Sequence, residues 1–327
     1  YNVAVGHQAG LAMTTGVQNT LIGGRAGDAL QAGSYNVALG YLALSTEDAN
    51  NFNTAVGTYA LQNLNAGANG YNTAVGYNCG TAMTTGTENT LMGVLAGDAL
   101  LAGKYNVAMG AGALSAETDH GRNTALGYYA LNAQLAGADA YNTAVGYHAG
   151  IAVSTGLQNT LIGSYAGTAI TQGGNNVAVG YGALDANTTG QLNTAIGYNA
   201  LTAQNADAYN TAVGANSMEA TTSGAYNVAM GRLSLAALTT GDYNVAIGYS
   251  ALTTETGDGK NVAIGFEALK DQNAGADAYN VAVGFAAGEN VSTGTKNTIV
   301  GGNAGDSLMS GVNNVAIGYD ALKTEDA

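Results

Sequence analysis

The 327-residue chain contains no proline, no tryptophan, a single cysteine and only eight lysines and arginines. A lone thiol, Cys79, cannot form a disulfide within the chain, so cysteine usage does not fix the redox compartment and permits an extracellular one. Eight basic residues against 22 acidic ones give a net charge of -14, which leaves no basic stripe for a phosphate backbone. We therefore expect no nucleic-acid partner.

Long apolar runs are also missing. None approaches the roughly 20 residues that span a bilayer, and no basic region followed by an apolar one opens the chain, so we expect no membrane insertion by this segment. Only 9% of the residues are charged, which excludes a charge-rich disordered chain even though glycine accounts for 50 residues. Residue 1 is Tyr rather than Met, so we expect a fragment of a longer fibre protein.

The chain instead has a repeat. The pentapeptide Asn-(Val/Thr)-(Ala/Leu/Ile)-aliphatic-Gly occurs nineteen times; fifteen of the eighteen intervals are seventeen residues, and those after Asn53, Asn123 and Asn261 are nineteen. Units this short are stable only when stacked on neighbours. We predict an all-β, parallel β-solenoid of about 19 coils, a single domain over residues 1–327, with a length of roughly 90 Å at about 4.8 Å per layer. Its structural repeat residues include Asn2, Gly6, Asn19, Gly23, Asn72, Gly76, Asn142, Gly146, Asn244, Gly248, Asn314 and Gly318.

A longer period of about 70 residues overlies the coils. The three nineteen-residue coils share a related insertion, AGANGY at 66–71 and AGADAY at 136–141 and 274–279. This pattern indicates growth by duplication of four-coil blocks. The blocks are residues 1–70, 71–140, 141–208, 209–278 and 279–327.

Counting each coil from its Asn as position 1, positions 2 and 4 are large and positions 3 and 5 are small, which predicts a short β-strand. We expect the large side chains to stack inside each chain and the Ala and Gly lines to lie against a neighbouring chain. Gly at position 5 either takes a positive φ or lets another backbone approach. The Asn forms a ladder of amides or is a left-handed corner residue.

Two further expectations concern side-chain packing. All twenty tyrosines fall immediately before the Asn or at positions 6 and 7, which predicts stacked aromatic ladders. Position 9 is Gly in eight coils, and those coils have an apolar residue at position 12. We predict that position 12 is buried in the Gly coils and exposed in most others, as at Glu47 and Glu255, because one slot per coil is filled from either place.

Residues that could carry chemistry are few, and we assign no catalytic, cofactor-binding or metal-binding residue. His7, His120 and His148 lack zinc-ligand spacing, and Cys79 stands where other coils have Ala. The segments GGRAGD at 23–28 and GGNAGD at 301–306 resemble calcium-binding repeats with the spacing off by one residue, so calcium at acidic turns is a minor alternative. GDGK at 257–260 is a turn rather than a phosphate loop.

The motifs NTAVGY at 72–77, NTAIGYNAL at 193–201 and NVAIGY at 244–249 resemble the head repeats of trimeric autotransporter adhesins. They are equally similar to repeats of phage tail-fibre proteins. The resemblance covers essentially the whole chain and implies a left-handed parallel β-roll, with three identical chains packed about one axis. Autotransporter head repeats are usually somewhat shorter than the seventeen residues found in this chain.

These observations favour a structural protein over an enzyme, because the acidic residues are scattered over the turns rather than clustered. The expected function is a shaft or head of an extracellular homotrimeric fibre, on a virion tail or a bacterial cell surface, which gives rigid multivalent attachment to a receptor or surface glycan. The alternative is a binding module that recognises polysaccharide or ice through a regular face. Position 2 is Thr in ten coils and Val in nine, so that array is broken.

Overall fold

The structure is a computed structural model that describes residues 1–67, 69–205, 208–257 and 259–324. Two sequence features lie partly outside these residues, namely the first insertion at Ala68 and the GDGK segment at Asp258. The chain is a parallel β-solenoid of nineteen strands with a seventeen-residue repeat, and the described residues contain no helix. It comprises two compact units, Tyr1–Ser164 and Tyr165–Ala327.

Every strand is three residues long and occupies positions 2 to 4 of its coil. The first unit contains β1 Val3–Val5, β2 Thr20–Ile22, β3 Val37–Leu39, β4 Thr54–Val56, β5 Thr73–Val75, β6 Thr90–Met92, β7 Val107–Met109, β8 Thr124–Leu126, β9 Thr143–Val145 and β10 Thr160–Ile162. The second unit contains β11 Val177–Val179, β12 Thr194–Ile196, β13 Thr211–Val213, β14 Val228–Met230, β15 Val245–Ile247, β16 Val262–Ile264, β17 Val281–Val283, β18 Thr298–Val300 and β19 Val315–Ile317.

Within each unit every strand pairs in parallel with the strand of the next coil, at equivalent positions. In β1 and β2, for example, Ala4 pairs with Leu21 and Val5 with Ile22. The nineteen-residue coils keep this register, since Ala55 of β4 pairs with Ala74 of β5 across the first insertion. The extra residues therefore lie outside the strands. The rest of each coil consists of turns.

The two faces of the strands are reversed relative to the sequence-based expectation. Position 3 faces the interior of the chain itself, and alanines such as Ala55, Ala74 and Ala125 have no exposed surface. Positions 2 and 4 point outward and are half-buried or exposed in the strands of both units. The prediction that Val and Ile at these positions fill the interior is wrong, because the side chain beneath the strand is that of position 3, which is Ala in all but four coils.

The remaining interior is filled from the turns. In every coil except the first and the last, position 8, almost always Ala, and the leucines at position 9 are fully buried, as at Ala60 and Leu61. In coils with Gly at position 9, the space is occupied by a large residue at position 3 of the same or the next coil. A Cβ on Gly10 or on Gly27 would lie 2.9 Å from the side chain of Leu21. The four large residues at position 3 all belong to Gly coils: Leu21, Leu91, Leu161 and Ile299.

A large side chain at position 3 therefore accompanies Gly at position 9, so these two positions share one space. The predicted exchange between positions 9 and 12 is wrong. Position 12 is buried in the Gly coils, as at Leu30 and Met83, although Met13 is only half-buried. It is equally buried in the other coils in which the structure describes this position, and Glu47 and Glu255 have no exposed surface. The polar residues buried at this position are Glu47, Glu117, Gln134, Asn187, Gln204, Thr221, Glu255 and Gln272.

Candidate interaction surface

The outward strand face is a regular surface that is repeated from coil to coil in each unit. Its rows arise because positions 2 and 4 of successive coils pair in register, so like side chains lie above one another. The row at position 2 consists of Val and Thr, and the row at position 4 of Val, Ile, Leu and Met. The position-4 residues that are exposed are Val5, Ile22, Met92, Ile162, Ile196, Met230, Ile264, Val300 and Ile317. We call the rows at positions 2 and 4 the apolar face.

Aromatic ladders flank the apolar face on both sides, as the sequence predicted. In the row just before the Asn, Tyr209, Tyr226 and Tyr243 stack with ring centroids 5.0 and 5.2 Å apart and nearly parallel planes. In the row at position 6, Phe266 stacks at 5.3 Å on Tyr249 and at 5.1 Å on Phe285. Each of these residues is about half exposed. Such pairs stabilise neighbouring coils by about 0.5–1.5 kcal/mol beyond area burial.

Cations interrupt the ladder that precedes the Asn. The Arg122 guanidinium lies 5.4 Å from the ring centres of both Tyr105 and Tyr141, and it pairs with Asp139 in the second insertion. Lys260 lies 5.2 Å from the ring of Tyr279 and pairs in the same way with an aspartate of the third insertion. Cation–π attraction therefore continues the ladder where an aromatic ring is absent. The insertions neutralise these cations.

Beneath this surface the repeated asparagines form a ladder of amides, so the first of the two alternatives is correct. The Asn227 Oδ1 accepts the backbone N–H of Asn244 at 2.8 Å, and its Nδ2 donates to the carbonyl of Gly241 at 2.8 Å. Asn19, Asn72 and Asn142 in the first unit and Asn244 in the second are buried and take part in the same kind of hydrogen bond between neighbouring coils. The left-handed corner is the preceding residue, for example Tyr226 with φ of 59°.

The glycines at position 5 meet both predicted requirements. Their φ values lie between 124° and 145°, and the carbonyl of the next coil's glycine occupies the space where a Cβ would be. Gly6, Gly23, Gly76, Gly146 and Gly248 follow this pattern, and Gly318 shares the positive φ without a neighbouring atom within 4 Å. The regular spacing of Asn and Gly therefore marks residues that hold the coils together rather than a ligand site.

Asn227→Ala is expected to reduce the free energy of unfolding by about 2–4 kcal/mol, because it leaves the Asn244 N–H and the Gly241 carbonyl without partners inside the coil. Chemical denaturation at fixed protein concentration measures the change. Asn63→Ala is the matched control, since Asn63 is exposed, and it should change stability by less than about 0.5 kcal/mol. Equal losses in both variants would contradict a structural role for the amide ladder.

The other candidate residues lie apart from one another. Cys79 is fully buried, and burial raises the pKa of its thiol to about 12, as for a small packing residue. His148 stacks on Tyr147 at 3.9 Å. In the first calcium-like segment, Asp28 binds the Nε of Arg25 at 2.8 Å. Among the described residues, no group of three or more His, Cys, Asp or Glu is placed to hold a metal ion.

Searches against protein-family models, curated protein sequences and solved structures returned no match for this chain. The described residues also form no helix that is long and apolar enough to cross a membrane. The inference of function therefore rests on the apolar face and the aromatic ladders beside it. Sequence reasoning missed its central apolar rows because it placed positions 2 and 4 inside, although the small residue that recurs at position 3 was a signal for the opposite orientation.

Proposed function

We propose that this chain is a structural segment of an extracellular homotrimeric fibre, a shaft or head on a phage tail or a bacterial surface, that provides rigid multivalent attachment. The observation that carries the proposal is the apolar face, where rows of Val, Ile and Met remain half-buried or exposed in an isolated chain. Monomeric proteins rarely expose long apolar patches, so a partner surface is expected to cover it.

A second copy of the same chain is the natural partner, since its face has the same coil spacing and the same rows. Closed symmetry gives every copy an identical environment. The resemblance of NTAVGY at 72–77 and NVAIGY at 244–249 to the repeats of trimeric fibres supports three copies and a left-handed coil. In this arrangement positions 2 and 4 meet at the axis, whereas Ala at position 3 stays inside each chain.

The mechanism of such a fibre is mechanical. Parallel coils joined by hydrogen bonds and amide ladders resist bending, so the segment holds receptor-binding or glycan-binding parts away from the particle. Three copies raise avidity without any new contact. The proposed role requires no catalytic residue, cofactor or metal.

Replacing Ile196 and Ile264 by Arg tests the trimer. Both side chains are exposed in the isolated chain, at 39% and 36%, so the solenoid should tolerate the substitutions while the interface should not. We expect a threefold lower mass in solution for the double variant than for the wild-type protein, with β-sheet circular dichroism retained. Gln191→Arg, at an exposed turn, is the control and should leave the mass unchanged.

A folded wild-type monomer would refute the trimer and the avidity that depends on it. If the Ile196→Arg, Ile264→Arg variant has the same mass as the wild-type protein, the interface lies on a face other than the apolar face. Arg at Ala55, Ala74 or Ala125 cannot serve as the test, since these alanines are buried within one chain and the substitution would disrupt folding itself.

The outward threonines favour one second candidate, a module that binds ice or polysaccharide. Thr54, Thr73 and Thr90 lie in register on three successive strands. This row belongs to the apolar face, so binding through it and trimer formation exclude one another. A monomer that inhibits ice recrystallisation or is retained on a polysaccharide resin, with loss of the effect on Thr73→Arg substitution, would support the second candidate.

A further inference from the structure

Three glutamates are buried at position 12. Each belongs to the coil that directly precedes one of the three nineteen-residue coils, and none has any exposed surface. They are Glu47, Glu117 and Glu255. Ionised carboxylates are rarely buried without a charged partner, because removing the charge from water is costly. The proposed fibre function does not explain these residues.

The carboxyl group of Glu47 is only half satisfied. Its Oε1 accepts the backbone N–H groups of Asn50 at 2.6 Å and Ala49 at 3.1 Å, whereas Oε2 is buried and has no hydrogen-bond partner among the described residues. The same position in the preceding and following coils is occupied by Leu30 and Leu64, both fully buried. An unprotonated Oε2 would carry negative charge in an apolar layer.

Glu117 repeats this arrangement. Its Oε1 accepts the N–H groups of Thr118 at 3.0 Å and His120 at 3.2 Å, and its buried Oε2 has no hydrogen-bond partner in the described part of the chain. The preceding coil places Leu100 at the equivalent position and the following coil places Gln134. A buried, half-satisfied glutamate thus recurs at position 12 of two coils, which indicates that the two residues share a property.

Other charged residues lie in the turns next to these two glutamates. Asp48 follows Glu47, and Asp119 follows Glu117. Asp139 accepts the N–H of Gly121 and pairs with Arg122. The His120 Nδ1, 3.7 Å from Glu117 Oε1, favours the ionised form of that carboxyl. At Glu47 burial raises the pKa, and only hydrogen bonds from backbone N–H groups and from an amide side chain oppose this effect. No charged side chain of the described residues offsets the burial.

We propose that Glu47 and Glu117 are buried proton-binding sites that make the coil stack more stable in mild acid than at alkaline pH. Burial raises the pKa of Glu47 from 4.5 to about 7 and is opposed by the backbone N–H groups of Asn50, Ala49 and Asp48. Burial likewise raises the pKa of Glu117, against the opposing effect of its hydrogen bonds and of His120.

The direction of the pH effect follows from proton linkage. Between pH 4.5 and about 7 the folded chain keeps the Glu47 proton that the unfolded chain has lost, so stability falls as pH rises through this window. Above the window the loss is complete. For Glu47 alone the unfolding equilibrium constant is expected to rise by about two orders of magnitude.

Glutamine is the conservative replacement, because the chain itself buries Gln134, Gln204 and Gln272 at position 12 of other coils. Denaturant unfolding of the Glu47→Gln, Glu117→Gln variant at pH 5 and pH 8 tests the proposal. For each protein the unfolding equilibrium constant at pH 8 is divided by that at pH 5. This ratio should be at least about ten times smaller for the variant than for wild type, and the variant should be the more stable protein at pH 8. Glu88→Gln removes the same charge from an exposed site and should keep the wild-type response.

The comparison with Glu88→Gln separates buried protons from general repulsion in a chain of net charge -14. Equal pH responses in the two variants would overturn the proposal. So would a carboxyl carbon NMR titration that places the midpoint of Glu47 at the ordinary value for an exposed glutamate. Neither result depends on whether the chain is a trimer.

Discussion

Gly146→Ala is expected to lower the free energy of unfolding by at least about 3 kcal/mol, because two costs add. Gly146 has φ of 140°, which residues with a Cβ avoid, and the new Cβ would lie 2.5 Å from the carbonyl oxygen of Gly163 in the next coil. The close partner is backbone, so it cannot move aside without breaking the sheet. A loss of this size is a large fraction of the stability of a typical domain.

Gly137→Ala is the matched control for this prediction. Gly137 is exposed within the second insertion, and a Cβ there has no atom within 4 Å. Its replacement should leave stability within about 0.5 kcal/mol of wild type. Thermal and denaturant unfolding of both variants, at equal protein concentration, measure the difference. A mild effect at Gly146 would mean that the coils can separate at this corner.

Leu91→Ala is expected to cost about 2–5 kcal/mol, because the Leu91 side chain fills the space beside two glycines. A Cβ on Gly80 would lie 2.9 Å from Leu91, and a Cβ on Gly97 would lie 3.0 Å from it. Gly97→Leu alone should also destabilise the protein, since the new side chain would compete for volume with Leu91 and with Leu100, whose Cδ1 would lie 2.8 Å from the new Cβ.

The double variant Leu91→Ala, Gly97→Leu should be more stable than the sum of the two single effects predicts, by about 1–3 kcal/mol. It reproduces a combination that the chain already uses, with Ala55 at position 3 and Leu61 at position 9 of another coil. Denaturant unfolding of the four proteins gives the coupling energy. Simple additivity would show that positions 3 and 9 do not share one space.

The predicted exchange between positions 9 and 12 shows which part of the core packing could be inferred from the sequence. The anticorrelation between Gly at position 9 and a polar residue at position 12 is real, but among the described residues position 12 is buried in Leu coils and in every Gly coil except the first. The large residues at position 3, for example Leu21 and Ile299, occur only in Gly coils and were the better signal. Solvent exposure at Glu47 could not be judged from polarity, since its burial is set by the coils above and below.

The sequence by itself determined the repeat, the position of every strand, the aromatic ladders and the need for Gly at position 5, whereas the structure chose the amide ladder over the left-handed corner for the repeated Asn. These features depend on spacing along the chain and on local backbone limits, which a repeated motif records directly. Only the tertiary structure decided which strand face lies inside. A period of two separates the faces but does not say which is buried, and the larger side chains favoured the wrong answer. In the coil of Ala55 and Val56, the buried Leu61 at position 9 fills the interior beside the small side chain of Ala55, and Val56 lies on the outward face.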